Sequence, residues 1–374
     1  MKKLLISILL ILAPATVLAL GGNGATCNPS TSSWGSCELA TVPFQESVTN
    51  TVNIPAGHYS SPFLANQANT RYLLQGNITA DGTAIQVLKN YIIIDLNEYT
   101  ITYNQTVPGE GVSPGAYNLH HVSVRNGTVI QGAAMSEGDQ YGAGNNPVGT
   151  YSTIAGGNRS VESLHVANLY VRYGGRDVGG IVANGQYGLY EQNTIEDTYE
   201  FGTLKNRNQG VEALTGAKGS IGNGCVYRNN TIKNSRHRGI VTGNNAEVYG
   251  NYIGLRSIAT NSAGVSQYAG QNISIHDNTI IGRGEHPIGI GAGGGDGSKN
   301  YQVFNNLIDL QITALGVEYG SSYANDPNAT YTGNSASGVR VTWGGDQLQV
   351  FNNQITIKTS SRYTGTYSPT GATA

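Results

Sequence analysis

The chain has 374 residues, 52 of them Gly and 23 Tyr, with 12% charged residues and a formal net charge of -2. So even a charge balance excludes a nucleic-acid binder held by phosphate contacts. The abundance of turn-forming residues describes a β protein, and the length admits two ordinary domains or one elongated repeat domain.

Residues 1–19 carry Lys2 and Lys3, an apolar run from Leu4 to Leu12, and a small-residue exit at Val17-Leu18-Ala19. That is the plan of a secretory signal peptide, too short in its apolar run to span a bilayer, and no later stretch is apolar enough to do so. The expectation is a secreted chain, extracellular or periplasmic, in which residues 20–50 form an N-terminal cap segment. In an oxidising compartment Cys27 and Cys37 are candidates for a small disulfide loop, whereas Cys225, beside the strand-like Val226-Tyr227, reads as a buried inert thiol.

From Thr51 short apolar or alternating runs recur, each closed by Gly or Asn: Val52 to Ile54, Tyr72 to Leu74, Tyr91 to Leu96 and Val122 to Ile130. Each predicts a strand ended by a turn. Farther along, Asn168, Asn193, Asn230, Asn251, Asn278, Asn306 and Asn353 are each followed two places later by an apolar or aromatic residue, at separations of 25, 37, 21, 27, 28 and 47. A unit of this length, built of short strands without an amphipathic helix, predicts a solenoid of β coils over residues 51–358. The Asn column then has a mechanical role, tolerating left-handed bends and bonding amide to amide between coils. Gly132 to Ser160, Gly202 to Gly224, Ile258 to Asn272 and Glu318 to Gly338 lack a strand period and read as loops walling one face. Residues 359–374 read as a frayed C-terminal tail.

The phrases Ile54-Pro55-Ala56-Gly57, Asp95-Leu96-Asn97 with Thr100-Ile101, Asn126-Gly127-Thr128-Val129 and the Asn-x-Ile steps resemble secreted right-handed parallel β-helix proteins of the pectate-lyase-like superfamily. The resemblance implies an all-β, single-domain parallel β-helix. It leaves the reaction open, because the superfold hosts lyases, hydrolases, epimerases, esterases and binding proteins. The Gly-His-Gly and Arg-Ile-Lys motifs of polygalacturonases, the Arg-x-Pro-x-x-Arg of pectate lyases, the Asp-Pro-His-Asp of alginate epimerases and the pectin methylesterase signature are absent from the sequence.

Seven or eight places after successive column Asn residues stand Arg176, Glu200, His237, Arg238, Glu285 and His286, with Arg172, Asp177, Tyr199, Arg236, Arg256 and Arg283 nearby. In register these would form a stripe of ~20 Å across about four coils. Arg172, Arg176, Asp177, Arg236, Arg256 and Arg283 are the candidate substrate-binding residues, since guanidinium forks match planar oxyanions. His237, Arg238, Tyr199, Glu200, Glu285 and His286 are the candidate catalytic ones. A lyase acting by β-elimination on an acidic, uronic-acid polysaccharide would use His237 as base and Tyr199 or His286 at the leaving oxygen. A hydrolase would use Glu200, Glu285 and Asp177, an epimerase is a further alternative, and a non-catalytic carbohydrate-binding or structural protein uses none of these as acid or base. No cofactor is fixed by the sequence. Calcium is the candidate metal, although Gly293-Gly294-Gly295-Asp296-Gly297 is a single copy of a glycine-rich unit and reads as a loop. His120 with His121 lacks a third ligand, and His165 and His276, in strands leading to their Asn, read as packed or hydrogen-bonded. The expected partner is an acidic polysaccharide bound by a monomer, with no nucleic acid and no membrane span.

Overall fold

The structure is a computed structural model that describes residues 48–132, 148–149, 153–154, 157–158, 161–174, 179–183, 185–198, 212–215, 224–257, 262–267, 270–284, 287–292, 299–312, 336–341 and 346–359. Residues 1–19, Cys27 and Cys37 lie outside them. So does the C-terminal tail beyond Thr359.

The described residues form a right-handed parallel β-helix, each coil having three sides. The first side runs from Asn50–Ile54 through Val226–Arg228 and Glu247–Tyr249 to Asp346–Phe351. The second holds Thr194–Asp197, Thr231–Ser235, Tyr252–Ser257, Thr279–Gly284, Leu307–Ile312 and Gln354–Thr359. These two sides form one twenty-stranded sheet, because Leu119–Gln131 and Val161–Tyr173 pass unbroken round the corner between them. The third side is a separate ten-stranded sheet that includes Glu212–Thr215, Arg238–Thr242, Ala263–Gln267 and Ile288–Ala292.

Alternation along each short strand sends one residue in two inward, and parallel register stacks those residues into columns. On the second side Ile195, Ile232, Ile253, Ile280 and Ile308 follow one another with no exposed surface. On the third, Leu214, Ile240, Val265 and Ile290 do the same. Burying one such side chain stabilises by roughly 1.5–3 kcal/mol, and a rung gains this only when its neighbours are in place.

The corner between the first two sides divides the work expected of one Asn between two residues. The ladder runs Asn193, Asn230, Asn251, Asn278, Asn306, Asn353, each amide donating to the next Oδ1 at 2.9–3.0 Å. The left-handed bend falls one residue earlier, at Gln192, Asn229, Gly250, Asp277, Asn305 and Asn352, with φ between 54 and 64. Asn168 belongs to this bend position, with φ 54, and not to the ladder. The ladder place in its rung is filled by Leu169, whose N–H donates to Asn193 Oδ1 at 3.1 Å.

Three of the four stretches read as loops contain a third-side strand: Val148–Gly149, Glu212–Thr215 and Ala263–Gln267. The fourth ends where Ser337–Val341 begins. Cys225 is 1% exposed, and burial pushes its thiol up to about 11, so it is inert near neutral pH. No helix among the described residues is long and apolar enough to cross a membrane.

Candidate functional site at the second turn edge

The chain passes from the second side to the third through Ser235-Arg236-His237-Arg238. Just before this turn, two residues, Lys233 and Asn234, stand between Ile232 and Ser235 where Gly254 alone stands between their partners Ile253 and Leu255, so the register shifts there. Asn234 absorbs the extra residue in the left-handed region, at φ 59. Such a bulge bends its strand and re-aims the residues beyond it. Here it turns Ser235 fully inward, where its Oγ donates to Arg238 O at 2.8 Å and closes the turn on itself. The next coil fastens the turn from the other side, with Ala263 N donating to His237 O at 2.8 Å and Ser262 Oγ to Arg236 O at 3.2 Å.

As a result, a turn whose composition suggests an exposed basic loop is enclosed. Arg236 is 9% exposed, His237 4% and Arg238 8%. Arg236 Nε reaches Asp197 Oδ2 at 2.6 Å, and the Asp197 side chain has no exposed surface. Burying charge is costly unless it is paired and hydrogen-bonded, and this short pair meets that requirement. Asp197 is not among the sequence candidates. A sign of it is nevertheless present: in Thr194-Ile195-Glu196-Asp197 alternation places Asp197 on the same face as Ile195, an inward position for a carboxylate.

The other candidates separate into groups. Arg256 and Arg283 are direct register partners on adjacent rungs, with Arg283 exposed and Arg256 half-buried. Arg236 lies one place past the last registered pair, Ser235 with Leu255, and its side chain is enclosed against Asp197. Arg172 stands two places earlier on the second side, paired in register with Glu196, and belongs to a different row. Tyr199, Glu200, Arg176, Asp177, Glu285 and His286 lie outside the described residues, as does the Gly293 to Gly297 loop. Among the described residues no three His, Cys, Asp or Glu side chains could hold a metal ion.

The outer face of the first side carries a second polar system. His165 bonds Ser123 Oγ at 3.2 Å and Glu191 at 3.0 Å, and Arg228 closes on Glu191 at 2.6 Å. The His165 hydrogen bond is the main force holding the Glu191 carboxyl at about 2, against the upward push of burial and with help from Arg228. His276 lies between the rings of Tyr249 and Phe304, bonded to Glu247 and Asp277. Burial opposes its protonation, but those two acids outweigh it and raise its pKa. Both histidines are therefore packed and hydrogen-bonded residues of the scaffold. His120 and His121 contact each other through Nδ1 at 3.0 Å, with Asn90 on the far nitrogen of His120.

No protein-family model and no curated protein sequence matches the chain. Among solved structures, the chain is similar to the A-module of the mannuronan C-5 epimerase AlgE6 of Azotobacter vinelandii, with 14% identity over 84% of this chain and 91% of that one and a TM-score of 0.38. It is also similar to PfbA, a surface adhesin of Streptococcus pneumoniae, with 11% identity over 83% and 85% and a TM-score of 0.38. At such identities and scores, reaction and substrate have to be argued from the site.

Proposed function

We propose that the protein acts on an acidic polysaccharide by β-elimination, along the edge where the second side turns into the third. The observation that carries this reading is the register pair Arg256 and Arg283, which sets guanidinium groups on the two rungs that follow the turn holding His237. The guanidinium fork suits carboxylates, and two forks at rung spacing offer neighbouring sugar carboxylates a planar partner each. In the proposed reaction Arg256 and Arg283 offset the uronate carboxylate, which lowers the cost of charge developing at C5. His237 takes the C5 proton, the electron pair left behind forms the C4–C5 double bond, and the C4–O bond breaks. The departing oxygen takes a proton from Tyr199 or His286.

One observation favours a second reading, binding without turnover. His237 is 4% exposed, and a general base has to meet its proton. The two are separated by incubating the mature protein with a panel of uronic-acid polymers while following ultraviolet absorbance and reducing ends. The lyase reading expects both signals to rise. Reducing ends without absorbance would indicate a hydrolase, and polymer binding with neither signal would establish the second reading. If the protein carrying His237→Ala and Arg238→Ala stays folded and keeps full activity, the site lies elsewhere.

A further inference from the structure

The row of cations continues beyond the residues assigned to the site. Arg283 pairs with Gln311, and Gln311 with Lys358, so Arg256, Arg283, Gln311 and Lys358 occupy one outward row on four consecutive rungs. Arg283 and Lys358 are exposed, while Arg256 and Gln311 are half-buried. Lys358 contacts Asp309 at 3.2 Å, but both side chains are open to water, at 59% and 41%, so this pair is readily exchanged for another carboxylate. Three rung steps from Arg256 to Lys358 cover ~14 Å along the solenoid axis. The whole chain is close to neutral, so an anion drawn here responds to this row and not to a general field.

We infer that the polymer lies along the solenoid axis on this row, and that the row selects a polyuronate charged on every sugar over a polymer charged on alternate sugars. This rests on the acidic-polysaccharide reading. Linear charge density makes the distinction. An extended pyranose chain advances by a step similar to the rung spacing, and long Arg and Lys side chains can reach carboxylates on either side of it. A fully charged chain therefore meets a cationic or hydrogen-bonding group at each rung. A chain charged on alternate sugars satisfies about half of them. A chain lying across the strands would meet one rung, and Lys358 would be irrelevant to it.

The test measures binding of the full-length mature protein to polygalacturonate and to hyaluronan at one fixed salt concentration, and then to galacturonate oligomers of increasing length. Polygalacturonate is expected to bind more tightly and with the steeper salt dependence. Arg283→Ala should weaken binding about two- to fivefold, the scale of one exposed ion pair. Lys358→Ala should do so only for oligomers long enough to span from Arg256. Gln311→Lys, which adds a charge within the row, should strengthen polygalacturonate binding more than hyaluronan binding. Equal affinity for the two polymers, or a Lys358→Ala loss independent of oligomer length, would overturn the inference while leaving the acidic-polysaccharide reading intact. Failure of both polymers to bind would overturn both. Selective binding without bond cleavage would sustain the inference and remove the lyase.

Discussion

Asn251 shows how much of this fold one side chain can hold. Its Oδ1 accepts from Asn230 twice, from the backbone N–H at 2.9 Å and the side-chain amide at 3.0 Å, while its own amide donates to Tyr227 O and Asn278 Oδ1 at 2.9 Å each. All of this takes place at 1% exposure. Removing the amide strands the groups on both neighbouring rungs, and a buried polar group left unsatisfied costs about 1–3 kcal/mol. Asn251→Ala is therefore expected to lower unfolding free energy by roughly 3–5 kcal/mol. Asn353→Ala should cost clearly less, because that residue is half-buried and ends the described ladder. Denaturant unfolding of the two variants measures the difference, and equal losses would show that burial within the ladder is not the source of its strength.

At the scale of the strand, the third side is set by glycine as much as by its apolar column. A Cβ added to Gly264 would lie 2.6 Å from Ile280 Cγ2 and 2.7 Å from Gly289 O, and one added to Gly289 would lie 2.6 Å from Ile308 Cγ2 and 2.5 Å from Gly338 O. The second-side Ile column thus packs directly on third-side backbone, which only Gly permits. Gly264→Ala should destabilise by about 1–3 kcal/mol through overpacking. Gly291→Ala, on the third-side strand of the next rung, meets nothing closer than 3.9 Å and should be close to neutral. Thermal melts of the pair decide it, and a Gly264→Ala protein as stable as the parent would show that the column can yield. The same packing explains what the sequence could and could not disclose. The Asn-x-Ile step was legible because a ladder amide and an inward Ile recur at fixed spacing in coil after coil. The third-side strands were not, because residues such as Gly149, Gly264 and Ser266 blur the alternation, and pairing with both neighbouring rungs supplies what propensity does not. Arg236, His237 and Arg238 were legible as a charged turn. Their enclosure was not, since it depends on a one-residue bulge at Asn234 and on a carboxylate, Asp197, that lies 39 residues away.

Across the whole molecule, rungs touch only their neighbours, so charge networks on an outer face act as clamps between coils. The His165–Glu191–Arg228 clamp ties three successive rungs and has a defined acid limit. The Glu191 carboxyl is held at about 2, below its ordinary 4.5. A depressed carboxylate pKa adds stability that is fully present above pH 4.5 and is lost as pH falls toward about 2, a contribution on the order of 3 kcal/mol. Asp95 acts in the same direction, since burial is outweighed by the Asn97 N–H, Asn126, Arg71 and Arg125. His276 acts oppositely: its raised pKa adds stability below pH 6.5 that disappears as pH climbs through the folded-state value. The expected profile therefore weakens on acidification below pH 4.5 and again as pH rises above 6.5. Glu191→Gln, which keeps the shape but not the charge, should be less stable at pH 6 and should flatten the slope between pH 4.5 and 2.5, so that the two proteins converge at the acid end. Melting temperatures across that range provide the measurement. A variant with the parent's full acid slope would place the acid-sensitive clamp elsewhere in the solenoid.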